Sequence, residues 1–217
     1  MPPRSAVLFS GGLDSTVLLA EELAANGVAL PIHVRCGLAW EDAEARTIDR
    51  LMATAPLAGR AAPAITLRVD TGDIYGANHW AVAGHPPGFD TPDEDVYLPG
   101  RNLLLVTKAA ILCRQRDISR LLLGSLAGNP FPDATPAFLA ALSSAVSLGL
   151  EHPFEIVTPY LTRRKHEVVR RGRSLGVPVH LTLSCMNPTA GDRHCGACSK
   201  CREREEAFRE AGGEMRE

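Results

Sequence analysis

The first group of residues with chemical potential is the run Ser10-Gly11-Gly12-Leu13-Asp14-Ser15. It follows the short apolar segment Ser5-Ala6-Val7-Leu8-Phe9 and opens a stretch in which Leu13, Val17, Leu18 and Leu23 recur at helical spacing. A strand that ends in two glycines and enters a helix offers a polyphosphate close backbone approach, unpaired N–H groups and a positive helix end. Ser10 and Ser15 add hydroxyl donors. Asp14 has the wrong sign for an anion site unless it accepts from loop amides as a cap or helps hold magnesium on the phosphates. A plain glycine turn with an Asp/Ser cap is the bland alternative. The coincidence of strand, turn and helix with the full hexapeptide favours phosphate. The run is not a Walker A loop, which needs Gly-Lys-Ser/Thr after a four-residue spacer.

The second group is Cys185, Cys195, Cys198 and Cys201, four of the six cysteines. In a reducing compartment such a cluster reads as metal ligation before disulfides. Four thiolates make a closed tetrahedral zinc site with no open position, so its expected work is to tie a glycine-rich loop and the last helix onto the body. An iron–sulfur cluster and a redox relay stay open on spacing alone. Cys36 and Cys113 read as small buried apolar side chains.

The third group is Arg101, Asn102 and Lys165. Arg101 can donate bidentately to a carboxylate or phosphate, Asn102 can cap a helix or bind substrate, and Lys165 can neutralise developing phosphate charge. Turn closure for the first two, and a solvated face shared with Arg163, Arg164 and His166 for Lys165, are the bland counterparts.

The elements that must position these residues alternate. Strands are expected at 5–9, 30–34, 64–69, 119–123 and 155–158, with helices from 13, over 41–52, 102–114, 136–148, 164–175 and again from Arg202 to Phe208. The last is a charged helix with Phe208 inward and its arginines on a solvated face. The stretch from Thr71 to Pro99, rich in glycine, proline, aspartate and histidine, resists regular structure and is a lid or loop candidate. Short apolar runs alternating with helical patterns predict an α/β fold, a Rossmann-like doubly wound parallel sheet over 1–180, with 181–217 as a metal-binding appendage packed on it.

At 217 residues, with 45% hydrophobic and 22% charged residues, a full single core is expected. A net charge of −2 disfavours nucleic acid or an anionic membrane as partner. No apolar run reaches the ~20 residues that cross a bilayer, and Met1-Pro2-Pro3-Arg4-Ser5 has no secretory pattern, which places the chain in the cytoplasm.

The hexapeptide after an N-terminal strand resembles the PP-loop of N-type ATP pyrophosphatases, a HUP-type fold. Such enzymes cleave ATP between the α- and β-phosphates while a substrate oxygen attacks the α-phosphorus. Further segments narrow this to a resemblance to the 7-cyano-7-deazaguanine synthase (QueC) family over nearly the whole chain: Pro99-Gly100-Arg101-Asn102, Thr158-Pro159-Tyr160 with Lys165 and Glu167, Leu183-Ser184-Cys185, and Cys195-Gly196-x-Cys198-x-x-Cys201-Arg202. The resemblance implies a C–N-bond-forming ligase that turns 7-carboxy-7-deazaguanine and ammonia into amide and then nitrile. ATP, Mg2+ and Zn2+ would be its cofactors, and a homodimer its assembly. It also implies Asp14, Arg101 and Lys165 as catalytic, Ser10 to Ser15 with Asn102 as nucleotide-binding, and the four cysteines as zinc ligands.

Two segments depart from the family pattern. Arg35-Cys36-Gly37-Leu38-Ala39-Trp40-Glu41 stands where Tyr-Gly-Gln-x-His is usual, and Phe131-Pro132-Asp133-Ala134-Thr135 lacks the usual Cys-Arg after Asp. Adenylation is expected to be retained. A protein or other amine as acceptor, as in defence-associated relatives, and a non-catalytic nucleotide-binding module are the alternatives.

Overall fold

Residues 3–213 are described by a computed structural model; Met1, Pro2 and residues 214–217, the ends of the leader reading and of the expected appendage, lie outside them. Five strands, β1 (Ser5–Leu8), β2 (Leu30–Arg35), β3 (Ile65–Arg68), β4 (Arg120–Leu122) and β5 (Glu155–Val157), form one wholly parallel sheet in the order β3-β2-β1-β4-β5. Between and after them lie helices α1 (Leu13–Asn26), α2 (Glu41–Met52), α3 (Gly72–Tyr75), α4 (Trp80–Ala83), α5 (Arg101–Gln115), α6 (Pro136–Gly149), α7 (Lys165–Ser174) and α8 (Ser199–Glu210). This is the expected doubly wound sheet. Strand order reverses between β1 and β4, and the crevice beyond their carboxyl ends is where such sheets bind ligands.

The strands alternate their side chains between two cores, as a sheet covered on both faces requires. Ala6, Ile32 and Leu121 face a core completed by Val106, Ala109 and Leu142 of α5 and α6. Val7 and Leu122 face the other, built from Val17 and Leu18 of α1, Val168 and Val169 of α7, and Phe208 of α8. The C-terminal segment enters both cores, Leu183 and Cys185 on the first side and Ala207 and Phe208 on the second.

The stretch expected to resist regular structure is folded. It forms α3, α4 and a 3-10 turn at Asp93–Val96, and Ala81, Val96 and Leu98 are buried. Each helix is about one turn long, too short for hydrophobic periodicity, and local caps hold it instead: the Ala81 N–H donates to His79 Nδ1 at 3.2 Å and Gly84 closes α4 in the left-handed conformation. Arg202 pins the stretch from outside, donating to the carbonyls of Phe89 (3.0 Å) and Thr91 (2.8 Å) and to Asp93 (3.0 Å). It is a tethered cover over the turn after β2.

The start of α8 at Ser199, ahead of the expected Arg202, also changes the reading of its charges. Arg204 is fully buried rather than solvated; it donates to Thr182 Oγ1 and to the Val179 carbonyl, both at 2.8 Å, and stacks over Phe208. No helix of the described residues is long and apolar enough to cross a membrane.

Gly172 marks the tightest helix contact. A Cβ there would lie 2.7 Å from Val17 Cγ2 and 2.9 Å from Val179 Cγ1, so α7 seats on α1 only without a side chain at this point. Replacing Gly172 by valine is expected to cost about 2–3 kcal/mol by overpacking and to lower the melting temperature by roughly 5–10 °C. An unchanged melting temperature in a thermal scan would contradict this packing.

Candidate active site

The turn after β1 is held by its own hydroxyls. The Gly12 N–H donates to Ser10 Oγ (3.3 Å), the Ser10 N–H to Ser15 Oγ (3.3 Å), and Ser15 Oγ in turn donates to the Gly12 carbonyl (3.2 Å). Gly11 has φ +74°, and a Cβ there would stand 3.1 Å from Thr47 Cγ2 of α2, so both conformation and space select glycine. From the other side of the switch point, Gly124 after β4 comes so close that a Cβ would meet the Asp14 backbone at 3.2 Å. The opening amides of α1, which have no intrahelical partner, therefore face a crevice walled by the ends of β1 and β4.

Lys165, the first residue of α7, reaches into this crevice and is nearly buried. Its Nζ lies 3.3 Å from Asp14 Oδ2 and 3.0 Å from Glu203 Oε1, while Glu203 Oε2 accepts from Lys200 at 2.9 Å. The solvated-face reading of Lys165 is thereby corrected: partners 151 and 38 residues distant in sequence (165 − 14 and 203 − 165) draw it inward. Burial alone would lower the ammonium, but the two carboxylates outweigh it and raise the group well above the usual lysine range. Burial likewise works against the charge of Glu203, yet Lys165 and Lys200 outweigh it and bring the carboxyl down to about 2. Asp14 goes the other way, raised by burial that outweighs Lys165, and its Oδ1 is buried without a partner among the described residues. A buried carboxylate oxygen with nothing to accept from has the character of an incomplete cation or donor site.

Glu203 and Lys200 escaped the sequence reading. The only available signal was their i, i+3 spacing around Cys201, which a helix beginning at Ser199 turns to one face.

A cleft of about 460 Å³ extends from this charged end. Its lining includes Ser10, Gly12, Leu13, Asp14 and Ser15 at one end and Trp40, Trp80, Tyr97, Arg101, Asn102 and Phe131 towards the other. Asn102 does not cap a helix itself: α5 starts after Gly100 without a side-chain cap, and the Asn102 N–H (2.9 Å) and side-chain amide (3.1 Å) both donate to Asp133, a buried carboxylate at the opening of α5. Arg101 has no carboxylate partner among the described residues, and its Nε is buried without an acceptor. A guanidinium so placed has the donor chemistry that suits an acidic group.

The departing segment at the end of β2 is apolar here. Leu38 and Trp40 are buried, and Trp40 stacks on Trp80 at 6.0 Å and 15°. Glu41 binds the Cys36 and Gly37 amides, so it shapes the turn. Burial pushes the Cys36 thiol up to about 11 and Cys113 up to about 12, which agrees with inert buried thiols. Thr158-Pro159-Tyr160 leads to packing: Tyr160 is buried and donates to Glu21 Oε2 at 2.6 Å.

The four cysteines come together. Their sulfurs all lie within 4.8 Å of one another, with Cys185–Cys198 at 4.0 Å, Cys195–Cys201 at 3.8 Å and Cys198–Cys201 at 3.5 Å. Four sulfurs on one tetrahedral ion at ~2.3 Å would be about 3.8 Å apart. The N–H groups of Asn187 and Cys195 point at Cys185 Sγ, and that of Ala197 at Cys195 Sγ, as thiolate ligands require. Asp192, in the same loop, is clamped by Arg46 and Arg50 of α2 at 2.7 Å each.

The family model for "Queuosine biosynthesis protein QueC" matches residues 4–212. The 7-cyano-7-deazaguanine synthases of Anaeromyxobacter dehalogenans and Methanoculleus marisnigri are 34% and 33% identical, over 96% of this chain in both cases and 92% and 95% of those proteins. Another, from Desulfitobacterium hafniense, is 28% identical over 94% of this chain and 91% of that protein. Among solved structures, a 4-thiouridine synthetase in complex with RNA and bound ATP aligns with TM-score 0.52 at 16% identity, over 95% of this chain and 51% of that one. The NMN synthetase of Francisella tularensis aligns with TM-score 0.50 at 11% identity, over 98% and 79%. These structural likenesses speak for the fold, whereas the sequence matches run almost from end to end: the chain belongs to the QueC family of queuosine biosynthesis proteins.

Proposed function

We propose that this protein adenylates a carboxylic acid on a 7-deazapurine with ATP and passes the activated acid to an amine. The observation that carries this reading is the Ser10–Ser15 turn facing Lys165 in the β1–β4 crevice of a chain that matches the synthase family along its length. A carboxylate oxygen attacks the α-phosphorus, the α–β bridging bond breaks, and pyrophosphate leaves with the bond electrons. The acyl adenylate then takes ammonia, which loses a proton as AMP departs, leaving an amide. In a second round the amide oxygen attacks the α-phosphorus of a second ATP, pyrophosphate and one N–H proton leave, and loss of AMP with the remaining N–H proton gives the nitrile.

The side chains of the cleft suit this sequence. The α1 amides and the Ser10 and Ser15 hydroxyls meet the leaving pyrophosphate, and Lys165 balances its growing charge. Arg101, whose Nε is buried with no acceptor among the described residues, holds the substrate acid. Asp14 Oδ1, with no partner among the described residues, would hold Mg2+, which would neutralise charge on the triphosphate. The sulfur spacing of the cysteine site supports a single Zn2+ rather than a multi-iron cluster, whose thiolates bind separate irons. That ion would hold the start of α8 and with it Lys200 and Glu203. The apolar Leu38 and Trp40 favour a second reading for the last half only, in which an amine larger than ammonia, including one on a protein, is the acceptor.

Purified protein given ATP, Mg2+, 7-carboxy-7-deazaguanine and ammonia is expected to release AMP and the nitrile, followed by mass spectrometry. AMP with amide alone would favour the second reading, and no acid-dependent AMP would sink the first step. Lys165→Met is expected to slow AMP formation by about a hundredfold to a thousandfold, the scale of one lost electrostatic donor. Glu203→Gln should slow it about tenfold, with recovery in Glu203→Asp; full activity in Glu203→Gln would remove that residue from the site. Metal analysis of protein prepared without added metal should find one zinc per chain and no stoichiometric iron. Chelation should loosen α8, read as faster amide exchange over 199–210.

A further inference from the structure

His33 stands on β2 between Ile32 and Val34, and its side chain is 2% exposed. Ile32 and Val34 face the α5 side of the sheet, so His33 faces the opposite side, where α2 brings Glu44 within 3.3 Å of its Nε2. A carboxylate only accepts, so in the neutral ring Nε2 carries the proton and Nδ1 is left as an acceptor. Nδ1 is buried and has no partner among the described residues, although His33 and Glu44 both line the cleft that begins at the Ser10–Ser15 turn. An unmatched buried acceptor is costly, and an apolar side chain at this place would avoid that cost.

We infer that His33 is a nucleoside-reading residue: Nδ1 accepts a hydrogen bond from a donor on the nucleoside half of ATP, and Glu44 acts as the positioning residue that fixes its tautomer. This rests on the adenylation reading above. Placement favours the nucleoside over the phosphates. The phosphate donors cluster at the end of β1, which has β2 on one side and β4 on the other, and His33 and Glu44 share a cleft with the Ser10–Ser15 turn, so a nucleotide whose phosphates occupy the α1 amides brings its sugar and base to His33 when it turns toward β2. The ribose hydroxyls and the adenine amino group are the donors that such a nucleotide presents. A phosphate presents only acceptors and would repel Nδ1.

Calorimetric binding without any carboxylic acid separates these donors, with ATP compared against 2′-deoxy-ATP, 3′-deoxy-ATP and ITP. One of the three analogues is expected to bind the wild-type protein about tenfold more weakly than ATP, and that penalty should vanish in His33→Phe. It should also vanish in Glu44→Gln, whose amide can donate to Nε2 and drive the ring proton onto Nδ1. A penalty of the same size in both variants, or three analogues that bind the wild-type protein like ATP, would overturn the inference. A wild-type protein that binds no ATP at all would instead overturn the adenylation reading beneath it. Because His33→Phe leaves Glu44 buried without its partner, nitrogen-15 spectra of histidine-labelled wild-type protein give a test that needs no variant. The expected spectrum has His33 protonated on Nε2 alone, with an Nδ1 resonance that moves on ATP addition. A ring protonated on both nitrogens, or an Nδ1 signal that ATP does not move, would refute the assignment.

Discussion

The structure is organised around one buried ionic contact, Lys165 between Asp14 and Glu203. Three separate pieces of chain meet there: the turn after β1, the start of α7 and the first turn of α8. Burying an ammonium is costly unless its partners are close and held in place. Both carboxylates are held in place, Asp14 by the close approach of Gly124 and Glu203 by Lys200 one turn earlier on the same helix. The helices that carry these groups are seated without slack, α7 against α1 at Gly172 and α8 against the Val179–Leu181 turn through Arg204. An incoming triphosphate would replace carboxylate by phosphate around the same lysine, so the pair holds the cation in position before the ligand arrives.

The cysteine site gains its meaning from that contact. Cys198 and Cys201 bracket the start of α8, and Lys200 and Glu203 project from the same turn into the crevice, while Arg202 projects the other way onto the cover segment. One ion between four sulfurs would therefore fix two things at once: the charge environment of Lys165 and the position of the chain from Pro87 to Asp93. The clamp of Arg46 and Arg50 on Asp192 ties the same loop to α2. A metal with no open coordination position can in this way matter to catalysis without touching a substrate.

Much of this was legible in the sequence because its signals are local. The strand–Gly-Gly–helix turn, the four clustered cysteines and the alternation of short apolar runs each depend on neighbours in the chain, and the sheet, the loop and the thiol cluster follow from them. What escaped depends on partners far apart. The charge of Glu203 looks like a solvated helix face until α8 is placed, and the pairing of Lys165, legible as a candidate in the sequence, with Asp14 and Glu203 emerges only when α1, α7 and α8 come together. His33 was hidden by its setting, a single polar residue inside an apolar strand. The stretch from Thr71 to Pro99 was misjudged for a different reason: one-turn helices stabilised by caps and by Arg202 carry no periodicity to read.

The chemical claim at the centre is that a carboxylate oxygen, rather than water or an amine, attacks the α-phosphorus while the Ser10–Ser15 turn and Lys165 hold the departing pyrophosphate. Substrate labelled with oxygen-18 in its carboxyl group tests this in one turnover, by mass spectrometry of the AMP. The account predicts one labelled oxygen in AMP. Unlabelled AMP, with both labelled oxygens still on the acid or lost to phosphate, would contradict it.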